Sequence, residues 1–341
     1  EVLKLLQETY LNKIKMIYID PPYNTGNDIL YKNDFSDSQN DYLELSKQAD
    51  SEGFIFTTNS ETNGRFHSDW LSMMYPRVKL ARNVLTDDGI LVLAIDHNEL
   101  NTLTSICDEI FGVSNRIGIV SVVHKPEGRN QVKFLAPSNE YMLFYAKDHT
   151  KAAFRKVAID DDVLRTFDKE DSDGKYRLNN YLRSGGGAHN LRENKPNFYY
   201  PVYVSEDLKV VETVKQDGYT EIYPITNTGQ ERTWKTIKET LQSRIKEGKV
   251  VAEKDNNGKV QVYEKYREQQ IFKTHWQQSK YHAIHHGTNL ISNLLNARTF
   301  DFPKSLFLVK DVLKIISTDD DLILDFFSGS ATTAHAVMQL N

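Results

Sequence analysis

The sequence predicts an α/β fold, a Rossmann-like doubly wound sheet interrupted by an inserted α+β domain. Three observations predict it. Short apolar runs alternate with amphipathic ones through the first 150 residues, the pattern of strands laid beside helices. A further strand–turn–helix unit, Leu322-Ile323-Leu324, then Asp325 to Ser330, then Ala331 to Leu340, lies at the far end. Between them, from about residue 148 to 298, the chain mixes tyrosines, basic residues and short strand-like runs.

The elements follow in order. Residues 1–12 read as a helix, with Val2, Leu5 and Leu6 apolar. Met16-Ile17-Tyr18-Ile19 is a short buried strand. Asp20-Pro21-Pro22-Tyr23 stops it, because proline fixes φ and restricts the residue before it. The polar stretch Asn24 to Asn63 reads as a lid, a binding loop or disorder. Trp70 to Leu85 is a helix with Leu71, Met74, Val78, Ala81 and Leu85 on its apolar face, and Pro76 is expected at a kink or a turn. Thr86-Asp87-Asp88-Gly89 reads as a turn. Ile90 to Ile95 is a strand buried on both faces. Glu99 to Phe111 is a helix ending near Gly112, with Cys107 a small buried residue on it. Ile117 to Val123 and Tyr141 to Tyr145 are strands, and Tyr199 to Val204 and Lys259 to Tyr263 are strand-like runs in the insertion. The sheet is expected to resume at Phe302, ahead of an amphipathic helix from Leu306 to Ile316.

With 26% charged and 39% hydrophobic residues, the 341-residue chain has the composition of a soluble globular protein. No apolar run approaches the roughly 18 residues of a membrane span, and no secretory signal is visible. The single cysteine allows no internal disulfide, which fits a reducing cytoplasm. A net charge of −5 argues against a uniformly basic nucleic-acid binder. The charge is uneven, however. Residues 181–298 hold 18 Lys+Arg against 13 Asp+Glu, a balance of +5, which leaves −10 for the rest. A basic, aromatic-rich insertion in an acidic chain reads as a nucleic-acid-reading domain. Arg183-Ser184-Gly185-Gly186-Gly187 is a basic turn suited to a phosphate contact or a linker. Four histidines, His275, His282, His285 and His286, cluster without cysteines or nearby acids, so no metal site is expected.

Two motifs carry chemistry. Asp20-Pro21-Pro22-Tyr23 holds a carboxylate, a rigid carbonyl-bearing turn and an aromatic ring at a strand's C-terminal end, where open α/β sheets bind ligands. The carboxylate and a turn carbonyl can accept both hydrogens of an exocyclic amine while Tyr23 stacks on the ring bearing it. The Asp325 to Ser330 turn, leading into a helix N-terminus, suits an anionic or nucleotide ligand. It is not a dinucleotide fingerprint, which disfavours a nicotinamide dehydrogenase.

D-P-P-Y resembles the motif of S-adenosylmethionine-dependent methyltransferases that act on adenine N6 in DNA, and Asp325-Phe326-Phe327-Ser328-Gly329-Ser330 is similar to their F-x-G-x-G cofactor motif, with Ser330 at the second glycine position. With His67 to Arg77 and Phe302-Pro303-Lys304-Ser305, these stretches resemble the modification (Mod) subunit of type III restriction–modification systems, a beta-class adenine-N6 DNA methyltransferase. The resemblance implies a circularly permuted motif order. Residues 1–150 would be the catalytic half, 151–298 the target recognition domain and 299–341 the cofactor half.

The resemblance also implies site residues. Asp20, Pro21, Pro22 and Tyr23 would be catalytic. Asp325, Phe327, Ser328, Gly329, Ser330, Lys304 and Thr25 would hold S-adenosylmethionine. Arg183, Arg192, Lys195, Arg232 and Lys235 would contact DNA, and His67 and Trp70 are weaker candidates for touching the base. Double-stranded DNA, a second copy of the chain and a restriction (Res) subunit are the implied partners, with no membrane. The cut-looking ends and the missing acidic strand that would hold the ribose predict a fragment that binds cofactor weakly. Other readings are a DNA-binding specificity subunit with an inert catalytic site, and an N4-cytosine methyltransferase, which the aspartate at position 20 disfavours.

Overall fold

The computed structural model describes residues 2–25, 66–128, 133–183, 185, 187–267, 269–297, 300 and 302–341. The expected lid between Asn24 and Asn63 therefore lies almost wholly outside the described residues. The chain divides into two compact units, Glu1–Val157 with Ile271–Asn341, and Ala158–Gln270. In chain order the first unit opens with α1 (Val2–Tyr10), β1 (Ile14–Ile19), α2 (Phe66–Val84), β2 (Leu85–Ile95), α3 (Leu100–Phe111), β3 (Arg116–Val123) and β4 (Asn139–Ala146). The second unit holds α4 (Asp161–Leu164), β5 (Lys169–Asp171), β6 (Gly174–Asn180), β7 (Val202–Val204), β8 (Val211–Glu212), β9 (Thr220–Ile222), α5 (Lys238–Lys246), β10 (Val250–Lys254) and β11 (Val260–Arg267). The chain then re-enters the first unit through β12 (His275–Trp276), α6 (Asn289–Leu295), α7 (Leu306–Ile316), β13 (Leu322–Leu324) and α8 (Thr332–Leu340).

The first unit is built on a six-stranded mixed sheet in the order β12-β3-β4-β2-β1-β13. β1 runs parallel to β2 on one side and to β13 on the other, while β4 is antiparallel to both β2 and β3. Period-two alternation sorts the buried strand residues. Ile17, Ile19, Leu91, Leu93 and Ile95 join Trp70, Met73, Met74 and Val78 of α2 and Leu103, Ile106, Cys107 and Phe111 of α3 in one core. Met16, Tyr18, Val92 and Ala94 face the other way and are equally buried. α7, almost entirely buried, packs against β1 without joining the α2–α3 core. The C-terminal ends of β1 and β13 meet where the strand order changes direction, the place where open α/β sheets leave a ligand crevice.

Several expectations fail for identifiable reasons. α2 continues through Pro76, so of the two alternatives expected there the turn is not formed. The backbone bond that Pro76 cannot donate is outweighed by the buried face on either side of it, Met73, Met74, Val78 and Ala81. Thr86 to Gly89 belong to β2 as a bulge. Ile14 pairs with Leu85 and Met16 with Ile90, so four residues stand opposite Lys15 alone. The Lys15 ammonium binds the Asp88 carboxylate and holds the bulge closed. Phe302 is not in the sheet; it is an 84% exposed loop residue. The stretch from 271 to 298, assigned by sequence to the insertion, instead packs with the first unit. His275 and Trp276 extend the sheet beside Ser121 and Val122, and Tyr281 and Lys280 bind the buried Asp311 of α7 at 3.0 and 2.7 Å.

That re-entrant stretch also fixes the approach to α7. Gly287 lets the backbone of Pro303 and Lys304 pass close by, and a Cβ there would lie 2.5 Å from the Pro303 carbonyl oxygen. Gly287→Ala should therefore push the Pro303–Lys304 segment away and cost about 1–3 kcal/mol of stability. An unchanged thermal unfolding midpoint would show that the segment yields freely.

The second unit has two antiparallel sheets, β10-β11-β6-β5 and β8-β7-β9. Tyr181, Tyr200, Val202, Trp234, Leu241 of α5 and Val262 form its core. Its boundaries change the charge argument. Residues 158–270 carry 19 Lys+Arg and 20 Asp+Glu, a balance of −1. The basic excess belongs to the window 181–298 and not to the folded unit, because acidic residues 160–173 fold into it and three cations between 271 and 298 do not.

Candidate active site

Asp20 leaves the end of β1, and the turn after it is held from behind. The carbonyl of Pro22 accepts the indole N–H of Trp70 at 2.7 Å. Trp70 is fully buried on α2, so the turn is tied to the core. Asn24, buried and left-handed at φ 58°, donates to Glu99 Oε1 at 2.5 Å, and His67 Nδ1 lies 2.6 Å from the same oxygen. Glu99, completely buried just past the end of β2, thus clamps both the residue after Tyr23 and the start of α2. Trp70 and His67 hold the turn in place. With the Pro22 carbonyl engaged, the Pro21 carbonyl remains as the turn's other acceptor.

Lys304 organises the front of the turn. Its ammonium is 3.0 Å from Asp20 Oδ1 and 3.1 Å from Glu140 Oε2, and it donates to the Tyr23 hydroxyl at 2.5 Å. The same ammonium sits over the Tyr23 ring, 4.6 Å from its centroid, and the Tyr23 hydroxyl donates to Glu140 at 2.9 Å. Burial pushes the Asp20 carboxyl up to about 6, against the pull of Lys304 and with the help of Glu140. Burial would also raise Glu140, but Lys304, His124 and Tyr23 together hold it below the ordinary carboxylate value. Burial alone would lower Lys304; the two carboxylates reverse this and raise it.

Across the crevice, β13 ends at Asp325. One carboxylate oxygen accepts the Phe327 N–H at 3.0 Å and the other the Thr333 hydroxyl at 2.7 Å, stapling the turn to the start of α8. Burial raises this carboxyl despite both bonds. Gly329 is left-handed at φ 47° and comes near the Phe300 ring; Ala331, also left-handed, begins α8. Ser330 has no such φ, which is why serine is tolerated where the motif carries a second glycine. A cleft lined by Tyr18, Asp20, Lys304, Asp325, Phe327, Ser328, Gly329, Ser330 and Thr333 joins the two turns. Of the residues expected at the cofactor, only Thr25 is absent from its lining.

The five basic residues expected at DNA are interlinked within the second unit. Arg183 donates to the Lys235 carbonyl at 2.7 Å, and both Arg183 and Lys195 approach the Phe198 ring. Arg232 donates to the Gly185 carbonyl. Arg192 lies 4.2 Å from the Tyr199 ring centroid but is paired with Glu231, and Lys235 is paired with Glu264 at 3.6 Å. Two of the five charges are therefore already met by carboxylates. His282, His285 and His286 pack on one another and on Phe307.

Sequence reading missed Glu99 and Glu140. Each stands at the edge of a hydrophobic element, where a charge ordinarily reads as a solvated end. The only local signal was an acid directly before the apolar run Tyr141 to Tyr145.

The chain is 33% identical over its full length to the EcoPI Mod subunit, a type III restriction–modification enzyme of Escherichia phage P1, of which it spans 54%. It is 33% identical to the StyLTI Mod subunit of Salmonella typhimurium, again over the full chain and 49% of that protein. Against the type II methyltransferase M.KpnI of Klebsiella pneumoniae it is 32% identical over 98% of the chain and 74% of the relative. It thus spans about half the length of the Mod subunits it matches. The family model described as DNA methylase matches residues 14–341, and the chain belongs to that family.

Proposed function

We propose that this chain transfers a methyl group from S-adenosylmethionine to adenine N6 in double-stranded DNA, as the modification part of a type III restriction–modification system. One observation carries the reading. Asp20, directly ahead of the Pro21–Pro22 turn, stands at one end of the cleft whose other end is the Asp325–Ser330 turn. The cofactor fits that turn: the α8 N-terminus lies next to it, and the cleft is lined by Asp20 and Asp325. When bound there, S-adenosylmethionine would supply an electrophilic methyl group on a sulfonium. Asp20 and the Pro21 carbonyl accept the two amine hydrogens and favour a pyramidal nitrogen with a localised lone pair. Asp20, with its carboxyl raised to about 6, can then take the proton that the methylated nitrogen sheds. The target base must leave the duplex, at a cost of roughly a few kcal/mol, and Tyr23 would stack on it with the ring face opposite Lys304.

The second unit, Ala158–Gln270, serves in this reading as the target recognition domain between the catalytic and cofactor halves, in circularly permuted order. Its Arg183, Lys195, Phe198 and Arg232 cluster supports that role better than its overall charge does. A second copy of the chain, a Res subunit and a cytoplasmic location follow from the same reading. Among the described residues no helix is long and apolar enough to cross a membrane. The test is to incubate the protein with duplex DNA and labelled S-adenosylmethionine, digest to nucleosides and identify the labelled base. N6-methyladenine is expected; N4-methylcytosine or no labelled base refutes the proposal.

Tyr23→Ala should cost more than Tyr23→Phe. Stacking on a base is worth roughly 1–3 kcal/mol, whereas Phe keeps the ring and gives up only the hydroxyl bonds, about 0.5–1.5 kcal/mol. Fluorescence of 2-aminopurine at the target position reports the flipped base, and equal losses for both variants would assign the work to the hydroxyl.

A further inference from the structure

Glu140 has no part in the reaction as derived above, yet it is 2% exposed and bonded to two members of the site. It enters from β4, antiparallel to β2, so its end of the strand lies beside the C-terminal ends of the parallel strands. Lys304 bridges it to Asp20, and Tyr23 donates to it. The buried group therefore contains two carboxylates and one ammonium. A structural ion pair would need only one carboxylate, and burying a second costs free energy unless a further cation meets it.

Resting on the proposed methyl transfer, we infer that Glu140 is a positioning residue that engages Lys304 and Tyr23, leaving the Asp20–Lys304–Glu140 group one negative charge in excess for a cationic ligand, the sulfonium of the methyl donor and the nitrogen that becomes cationic as the methyl arrives. Without Glu140, Lys304 would neutralise Asp20, and only Asp325 at the far end of the cleft would be left to face the cation. With it, the ammonium is shared, and Asp20 keeps a free oxygen and the charge needed to accept the amine hydrogens. The groups that set the balance come from every neighbouring element: Lys304 ahead of α7, Glu140 on β4, Tyr23 in the turn and Tyr18 on β1, with Asp325 of β13 acting on Tyr18 and His124 after β3 acting on Glu140.

The experiment compares wild type, Glu140→Gln and Glu140→Asp. Calorimetry measures binding of S-adenosylmethionine against S-adenosylhomocysteine, its neutral thioether counterpart. Glu140→Gln should lose about tenfold of the wild-type preference for the sulfonium, the size of one charge–charge interaction in a partly screened site. Its acid limb of kcat/KM should move below the wild-type midpoint near 6, because the repulsion that helps raise Asp20 is gone. Glu140→Asp keeps the charge and should keep the preference. Should Glu140→Gln not fold, Glu140→Asp and the doubly substituted Lys304→Met, Glu140→Gln protein carry the test, since the double variant also returns the net charge to −1 and should retain the preference. An active wild type whose Glu140→Gln variant, or failing that whose charge-matched pair, does not follow these expectations overturns the role of Glu140 alone. A wild type that methylates no DNA overturns the function itself.

Discussion

Asp20→Ala is expected to lower the rate of methyl transfer by about a hundredfold or more while leaving DNA affinity nearly unchanged. The variant loses a charge-assisted hydrogen bond to the amine, worth roughly 1.5–3 kcal/mol, and with it the acceptor for the released proton. It also leaves the Lys304 ammonium on Glu140 alone, so that group no longer carries excess negative charge. The turn itself should survive, because its back is held by Trp70 and Glu99 and not by Asp20. Single-turnover methylation and a filter-binding assay on the same preparation separate the two effects. Transfer at the wild-type rate would remove Asp20 from the mechanism. In the wild type, activity should rise with pH through about 6 as Asp20 ionises. Stability should move oppositely. A carboxyl raised by folding contributes stability below its unfolded value near 3.8, and that contribution is lost as pH rises through about 6.

Lys304→Met should be the most destabilising single substitution at the site. It takes from the buried Glu140 and the half-buried Asp20 the ammonium they share, and breaking a buried ion pair from one side costs about 3–5 kcal/mol. The loss should shrink in mild acid, where the abandoned carboxylates take up protons, and shrink again when Glu140→Gln is added. Denaturant unfolding at several pH values checks both. A Lys304→Met loss that is independent of pH would mean that solvent already compensates the carboxylates.

The parts legible in the sequence were those set by neighbours in the chain. Leu306 to Ile316 and Leu322 to Leu324 were bounded correctly because periodicity and flanking turns are local. D-P-P-Y was legible because two prolines after an apolar run leave few backbone choices. The Thr86 bulge was misread because pairing with Ile14–Met16 overrode the local turn signal. β12 is two residues long and exists only through its partner β3, so no pattern marks it. Lys304 was read as a cofactor contact since nothing local says that its ammonium meets Asp20, Tyr23 and Glu140. Glu99 and Glu140 were invisible for the same reason. A buried carboxylate looks like a surface one until its cation or donor is located.

The span between Tyr23 and Lys304 has a consequence for biosynthesis. They bond across 281 positions. At about 5–20 residues per second on the ribosome, Asp20 waits on the order of 15–60 s for its ammonium after D-P-P-Y has been made, and Glu140 roughly 8–33 s. Until then, closing the first unit would bury Glu140 and part of Asp20 without their ammonium. Lys304 thus acts as a completion signal. A chain ending before Lys304 should therefore be cut faster by protease than the full chain.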